Sequence, residues 1–312
     1  MRFRLAAAAA LLAGALTLGG CTLESPPPFE EMVERSAKAS AELERKGHGM
    51  EFELDAALHI DPSPGAGDLA VLAGKEIKLQ ASGQVSEGKR VIDAKLGVGE
   101  QVLPFSYRGT SEWAYLGYGG VWAQTDPVER AASARAGVEG LGGEELKPGE
   151  IADRLKELRR AGVRAGEPRV KNGLYAYPLE LDAERLARRL EDAGGKRVPR
   201  RVLHDLLEGL RAEVAFSPKT DLPERITVEF QAHGSTLKAL GEHAPGRRAG
   251  EIARLELRID LSMRPLGGPV AVERPPASAI VSEDELFSRL GLAALGLLGG
   301  LAPAGDASSA RP

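Results

Sequence analysis

Cysteine is nearly absent from this chain of 312 residues, which carries a single one at position 21. A disulfide within the chain is therefore excluded, and packing and hydrogen bonds must hold the fold. Histidine is also scarce: none of the five residues has a second His or Cys at the spacing of a zinc site. Aromatic residues make up 4% of the chain, so most of any core must be Leu, Val, Ile and Ala.

The common signatures of catalysis are missing too. The chain has neither the Gly-x-Ser-x-Gly elbow of serine hydrolases nor a P-loop. The Gly-rich stretch 117–120 joins two aromatic segments and predicts a hairpin turn, and Glu pairs such as 144–145 predict solvated surface. The net charge of -4 argues against nucleic acid as a partner. We therefore predict a protein that is not an enzyme and uses no cofactor or metal.

The first twenty residues have the three parts of an export signal. Arg2 and Arg4 supply the positive start, residues 5–16 form an apolar run of mostly Ala and Leu, and small residues follow. The apolar run is shorter than the roughly 20 residues that a membrane-spanning helix needs. Two other interpretations are a simple N-terminal membrane anchor and an ordinary signal peptide that is cut elsewhere.

The segment Leu18-Gly19-Gly20-Cys21 favours a lipoprotein signal, because it resembles the bacterial lipobox of small residues before an invariant Cys. In that motif the Cys sulfur receives a diacylglycerol and the chain is cut before it. The prediction is a signal peptide over residues 1–20 and a lipid anchor at Cys21 on the extracytoplasmic face of the cell membrane. Residues 21–28, with three consecutive prolines, then form a short and stiff tether.

Alternation of apolar and polar residues predicts many of the following segments as strands with one buried face. The clearest example is 254–263, where Leu, Ile and Met alternate with Arg, Glu, Asp and Ser. The predicted strands are residues 50–60, 75–86, 91–98, 103–107, a hairpin over 113–122, 174–181, 214–216, 226–231 and 254–263.

Helices are predicted at the start and in the middle of the domain. The first covers residues 29–46, and the others cover 127–137, 148–162, 183–193 and 199–211. The side chains expected on one side of the first helix are Phe29, Met32, Val33, Ala37 and Ala41. Since the helices are too few and too clustered for repeated βαβ units, they must cover the sheet. The predicted fold class is α+β, a curved antiparallel sheet with helices packed on its concave apolar face.

The segment after residue 276 differs from the rest of the chain. Ser282 can cap a helix that begins near Glu283, and residues 286–301 are apolar and rich in glycine. We expect residues 277–312 to form an apolar helix with a disordered end. Three interpretations of this tail stay open: a helix packed on the domain, a segment in the membrane surface, and a plug in the protein's own groove.

Basic residues are concentrated in the stretch 185–201, which carries seven Arg or Lys residues. One interpretation is the solvated outer face of two covering helices. The other is a patch that meets anionic lipid headgroups. The sequence does not decide between them.

The layout as a whole resembles the LppX/LprG family of actinobacterial lipoproteins. The similarity covers residues 29–276 and includes the hairpin that ends in Val121-Trp122, the segment 219–226 between two strands, and Gly268-Pro269-Val270-Ala271-Val272 before two prolines. The resemblance implies the half-barrel of the LolA/LolB lipoprotein carriers, with an apolar cavity between sheet and helices. It further implies an acyl lipid or glycolipid as ligand and an envelope transport protein as partner.

The leading hypothesis is a membrane-tethered lipoprotein that binds acyl chains between one sheet face and a helical stripe. The candidate cavity residues are Phe52, Leu54, Leu58, Leu79, Leu96, Leu257 and Ile259 on the sheet, and Leu203, Leu206, Leu207 and Leu210 on the helix. Burial of CH2 groups at about 0.8 kcal/mol each would drive binding. The rival hypothesis is an envelope interaction or sensor module with a closed core and no lipid.

Overall fold

A computed structural model describes residues 25–66, 70, 73–125, 163–192, 199–243 and 251–299. The signal peptide, the lipobox with Cys21, the predicted helices at 127–137 and 148–162, and the end of the tail lie outside these residues. Among the described residues, no helix combines the length and the apolar character that a membrane crossing requires.

The described part of the chain contains thirteen strands in one sheet. Their bounds are β1 Met50–Pro62, β2 Glu76–Ser86, β3 Lys89–Val98, β4 Gln101–Gly109, β5 Ala114–Tyr118, β6 Val121–Thr125, β7 Val163–Ala165, β8 Arg169–Lys171, β9 Leu174–Leu181, β10 Leu210–Phe216, β11 Pro223–His233, β12 Ile252–Pro265 and β13 Ile280–Val281. The described helices are α1 Phe29–Arg45, α2 Ala183–Asp192, α3 Arg200–Glu208, α4 Gly234–His243 and α5 Glu283–Gly299, with a 3-10 turn at Ala277–Ala279.

The sheet is open, and its strand order is β13-β6-β5-β4-β3-β2-β1-β12-β11-β10-β9-β7, with β8 also paired to β9. All neighbours are antiparallel except β13, which pairs in parallel with β6. The tight turn between β5 and β6 is the predicted one: Gly119 and Gly120 have φ of +57° and +82°, the left-handed conformation that a two-residue hairpin loop requires. The predicted α+β class with a mostly antiparallel sheet is confirmed.

Helix α1 packs on the apolar face of the sheet. Phe29, Met32 and Val33 contact the strands β9 and β10, and Leu43 packs near Met50 and Met263 at the other end of the helix. The prediction that Ala41 shares this face was wrong, because Ala41 is exposed. Ser36 and Ser40 are buried on this face, and Ala37 is half-buried. The positions 29, 32, 33, 36, 40 and 43 keep the helical period, and serine is small enough to lie against the sheet.

The chain before α1 is held in place by a tyrosine of the sheet. The Tyr177 hydroxyl donates a hydrogen bond to the backbone oxygen of Pro27 at 2.7 Å, and its ring lies 5.3 Å from that of Phe29. Burial raises the pKa of Tyr177 to about 12. The tether therefore reaches the domain beside β9.

We expect the stability gained from Tyr177 to disappear in alkali. An unfolded tyrosine titrates near pH 10, whereas the folded one keeps its proton to about pH 12. Above pH 10 the unfolded state releases a proton that the folded state retains, so the free energy of unfolding falls by up to ~1.4 kcal/mol per pH unit until pH 12. Urea unfolding of the wild type and of Tyr177→Phe, at several pH values, measures this loss.

Below pH 10 the Tyr177→Phe variant should be less stable than the wild type by about 1 kcal/mol, the typical net contribution of one hydrogen bond. Between pH 10 and 12 the advantage of the wild type should vanish and then reverse, because the loss over two pH units exceeds the contribution of one hydrogen bond. The comparison of the two proteins cancels the titration of all other groups. A stability difference that stays constant up to pH 12 would contradict the assignment.

Candidate functional site

The candidate site is the apolar face of the sheet. Helix α1 covers part of this face, where Leu179, Ala165 and Phe52 pack against the core clusters. Strict alternation along each strand sends the apolar side chains to this face, and the strand register aligns them into rows. One row crosses nine neighbouring strands from β4 to β7. Its members, in spatial order, are Leu103, Leu96, Leu79, Ala56, Ile259, Val228, Ala212, Leu179 and Ala165.

A second row runs parallel to the first. Leu58 lies opposite both Ile77 and Leu257, and Phe230 continues the row from Leu257. The last member is Leu210, which pairs with Phe230. With strands about 4.8 Å apart, the rows form a broad apolar surface that spans tens of ångströms.

All seven sheet residues that the sequence assigned to the cavity lie on this face. Leu79 and Leu96 are direct cross-strand partners, as are Leu58 and Leu257. Each of the seven is half-buried, in contrast to the fully buried side chains under α1 such as Tyr177 and Phe216. The face is therefore sheltered, and its side chains retain accessible surface.

The four residues predicted on the helix differ in burial, and one of them lies on a strand. Leu203 is buried in α3, and Leu206 and Leu207 of the same helix are half-buried. Helix α3 contacts β10 and β11, the strands that carry the end of the second row. Leu210 does not belong to the helical stripe as predicted: the helix ends at Glu208, and Leu210 begins β10, where it faces the same side as Phe230.

The predicted set of cavity residues omits several members of the face. Ile77, Val98, Leu103 and Val228 stand in the rows beside the predicted residues. Their alternation was visible in the sequence, but which side chains become neighbours depends on strand order and register, which the pattern does not give.

The opposite face of the sheet is polar and covered by ion pairs. Arg108 donates to both carboxylate oxygens of Asp93 at 3.0 Å, and Arg225 binds Asp260 through two nitrogens. The hydrogen bond from Arg225 lowers the pKa of Asp260 below its usual value. These pairs keep the outer face charged and solvated, so the apolar surface is confined to one side of the sheet.

A depression of about 420 Å³ lies on the polar face, lined by Ala57, His59 and several charged residues of β11 and β12. The His59 ring lies 3.0 Å from a carboxylate oxygen of Asp61. On α3, the exposed residues His204, Asp205 and Glu208 hold their ligand atoms within 4.8 Å of one another. Exposed acidic groups are common without an ion, and this cluster by itself defines no metal site.

The fold and the site together define an α+β protein with an open sheet that is apolar on one side and charged on the other. No known family matches the chain, and no curated protein matches it. The resemblance to the LppX/LprG family therefore stays a prediction.

Several solved structures are similar to the chain at a low level. MucB in complex with MucA(peri) matches 82% of this chain with 10% identity and a TM-score of 0.26, and this chain spans 58% of the MucB chain. A DUF1329 family protein from Desulfovibrio piger matches 78% of this chain, and 95% of its own, with 12% identity and a TM-score of 0.21. Both TM-scores are too low for either likeness to bear on function.

Proposed function

We propose that the protein is an extracytoplasmic lipoprotein, anchored through Cys21, that binds acyl lipid on the apolar face of its sheet. The observation that carries the proposal is the pair of cross-strand rows, whose Leu, Ile, Val and Phe side chains are sheltered but only half-buried. A hydrocarbon chain laid along such a surface loses its contact with water at a gain of about 0.8 kcal/mol per buried CH2. No polar side chain of the rows would have to be desolvated.

The membrane tether supports the same proposal. The export signal would carry the chain across the membrane, and the lipid on Cys21 with the Pro-rich segment before α1 would then hold the domain next to a bilayer, which is the source of acyl lipids. Transfer of lipid to an envelope transport protein would be the next step for a carrier of this kind.

Native mass spectrometry of the protein purified from its own membranes tests the proposal. We expect the wild type to retain an acyl lipid. The variant Leu79→Gln/Leu96→Gln puts two neighbouring amides into the first row. It should reduce lipid occupancy at least about ten-fold, because each amide must be desolvated against hydrocarbon.

The matched control is Val102→Gln/Val170→Gln, which makes the same kind of change at two exposed side chains, with 58% and 43% exposure. It should retain lipid as the wild type does, and thermal unfolding of all three proteins would verify that they fold. A wild type that carries no lipid would refute the proposal and favour the closed-core interaction or sensor module. Equal lipid occupancy in wild type and row variant would exclude this face as the binding surface.

A further inference from the structure

Two arginines line the point where the chain enters the domain, and two more lie next to them on the neighbouring helices α2 and α3. Arg164 of β7 and Arg185 of α2 line a depression of about 520 Å³ together with Phe29 and Glu30, the first residues of α1. Arg188 lies one turn further along α2, and Arg200 begins α3. We call the group Arg164, Arg185, Arg188 and Arg200 the basic end.

Short-range contacts hold the basic end together. The guanidinium of Arg200 lies 3.3 Å from the carboxylate of Glu184, and that of Arg188 lies 3.9 Å from it. Asp182 caps α2: one carboxylate oxygen accepts hydrogen bonds from the backbone of residues 184 and 185, and the other accepts one from Arg164. The backbone hydrogen bond from residue 185, together with the one from residue 184, holds the pKa of Asp182 below its usual value.

The cations outnumber the acids around them and face water. The side chains of Arg164, Arg188 and Arg200 are 67%, 75% and 75% exposed. The stretch 182–201 contains seven basic and four acidic residues, although the whole chain has a net charge of -4. The basic end is therefore a local positive surface on an acidic protein.

The tether leads to this surface. Cys21 and Pro28 are seven positions apart, so a fully extended chain would place the lipid anchor no more than about 25 Å from the start of α1. The hydrogen bond from Tyr177 to Pro27 fixes the last part of the tether on the sheet. The chain that would hold the membrane and the cluster of arginines thus meet at one end of the domain.

We propose that the basic end docks on the anionic lipid headgroups of the membrane in which Cys21 is anchored, and that this contact orients the sheet on the bilayer. The inference rests on the proposed anchoring at Cys21. Each cation near an anionic bilayer contributes up to about five-fold in membrane partition, and the attraction fades within a Debye length of about 8 Å at physiological salt. The acyl anchor and several cations together would give firmer binding than either alone.

Vesicle co-sedimentation tests the proposal on the mature chain, residues 21–312, with Cys21→Ser so that no acyl group contributes. The probe is vesicles of equal parts phosphatidylglycerol and phosphatidylcholine, compared with phosphatidylcholine alone. We expect binding to the anionic vesicles only. The variant Arg164→Gln/Arg185→Gln/Arg188→Gln/Arg200→Gln should bind at least about ten-fold more weakly. The expected loss is smaller than four full cation contributions, because the acids among the arginines already offset part of their attraction to the bilayer.

Two further variants separate local charge from net charge and from misfolding. Lys46→Gln/Lys78→Gln/Lys89→Gln/Lys95→Gln removes the same charge at exposed positions. Three of these lysines lie on β2 and β3, which β1, β12, β11 and β10 separate from β9, and Lys46 caps α1 at the end opposite Phe29. It should bind within about two-fold of the unsubstituted chain, since its charges lie outside the contact. Replacement of the four arginines by lysine should preserve binding.

Three results would overturn the proposal. They are no binding of the unsubstituted chain to anionic vesicles, equal binding by the arginine-to-glutamine variant, or an equal loss of binding in the variant that replaces four lysines by glutamine. The assay does not depend on a lipid ligand in the apolar face. Failure of the basic end would therefore leave the mass-spectrometric result intact, and a protein that carries no lipid could still dock through its arginines.

Discussion

The variant Phe216→Ala is expected to lose about 3–5 kcal/mol of the free energy of unfolding, because it opens a cavity in a buried aromatic cluster of the core. Phe216 is fully buried on β10. Its ring lies 5.7 Å from that of Tyr177 in an edge-to-face arrangement and 6.4 Å from that of Phe29. These three rings join α1 to the sheet, so their loss would loosen the helix.

Chemical denaturation measures the effect, and Phe287→Ala is the matched control. Phe287 lies on α5 and is 45% exposed, so its truncation should cost less than about 1 kcal/mol. If Phe216→Ala fails to fold, Phe216→Leu keeps most of the volume and should lose about 1 kcal/mol. Equal losses at positions 216 and 287 would show that α1 is not held by this aromatic cluster.

The strands were predictable where the alternation of residue types was long. The segment 254–263 alternates at every residue, and β12 contains all of it with Leu257 and Ile259 on the apolar face. Shorter elements gave no such signal. Strands β7 and β8 have three residues each, too few to show a period, and only Asn172-Gly173, both at positive φ, marked the turn between β8 and β9.

The helices show where local patterns mislead. Helix α4 was not predicted, because Gly234, Ser235 and Thr236 are poor helix formers and Leu237 is its first buried apolar residue. Helix α3 was predicted too long, because Leu210 falls on the apolar stripe of a helix as well as on the alternation of β10. Tertiary contact decided between the two: Leu210 completes a row with Phe230.

The candidate site was predictable in its residue types but not in its geometry. Which side of each strand is apolar follows from the sequence, and all seven predicted sheet residues share one face. Their arrangement into rows required the strand order, in which β1 lies between β2 and β12, far apart in the chain. Pairing between segments so far apart in the chain cannot be predicted from the local pattern of residues in a single sequence.

The junction between α3 and β10 gives the second large expected effect. Gly209 ends α3 with φ of -82° and ψ of -7°, a conformation open to any residue, so backbone freedom does not explain the glycine. The lack of space explains the glycine, because a Cβ on Gly209 would lie 1.8 Å from the backbone oxygen of Gln231 on β11. The backbone oxygen of Gly209 also accepts a hydrogen bond from the Gln231 nitrogen at 2.9 Å.

Gly209→Ala must therefore push the backbone of residue 209 away from the backbone of β11. The clashing atom belongs to the main chain, so the clash cannot be relieved by rotation of a side chain. Overpacking and the loss of the hydrogen bond should together lower the free energy of unfolding by about 2–4 kcal/mol. Because Leu210 follows directly and pairs with Phe230, the same displacement should disturb the second apolar row and reduce lipid occupancy. Gly267→Ala is the control: a Cβ there meets nothing within 4 Å, and its effect should stay within about 0.5 kcal/mol. Equal stability of the two variants in denaturant would mean that α3 and β11 do not approach as closely as the junction requires.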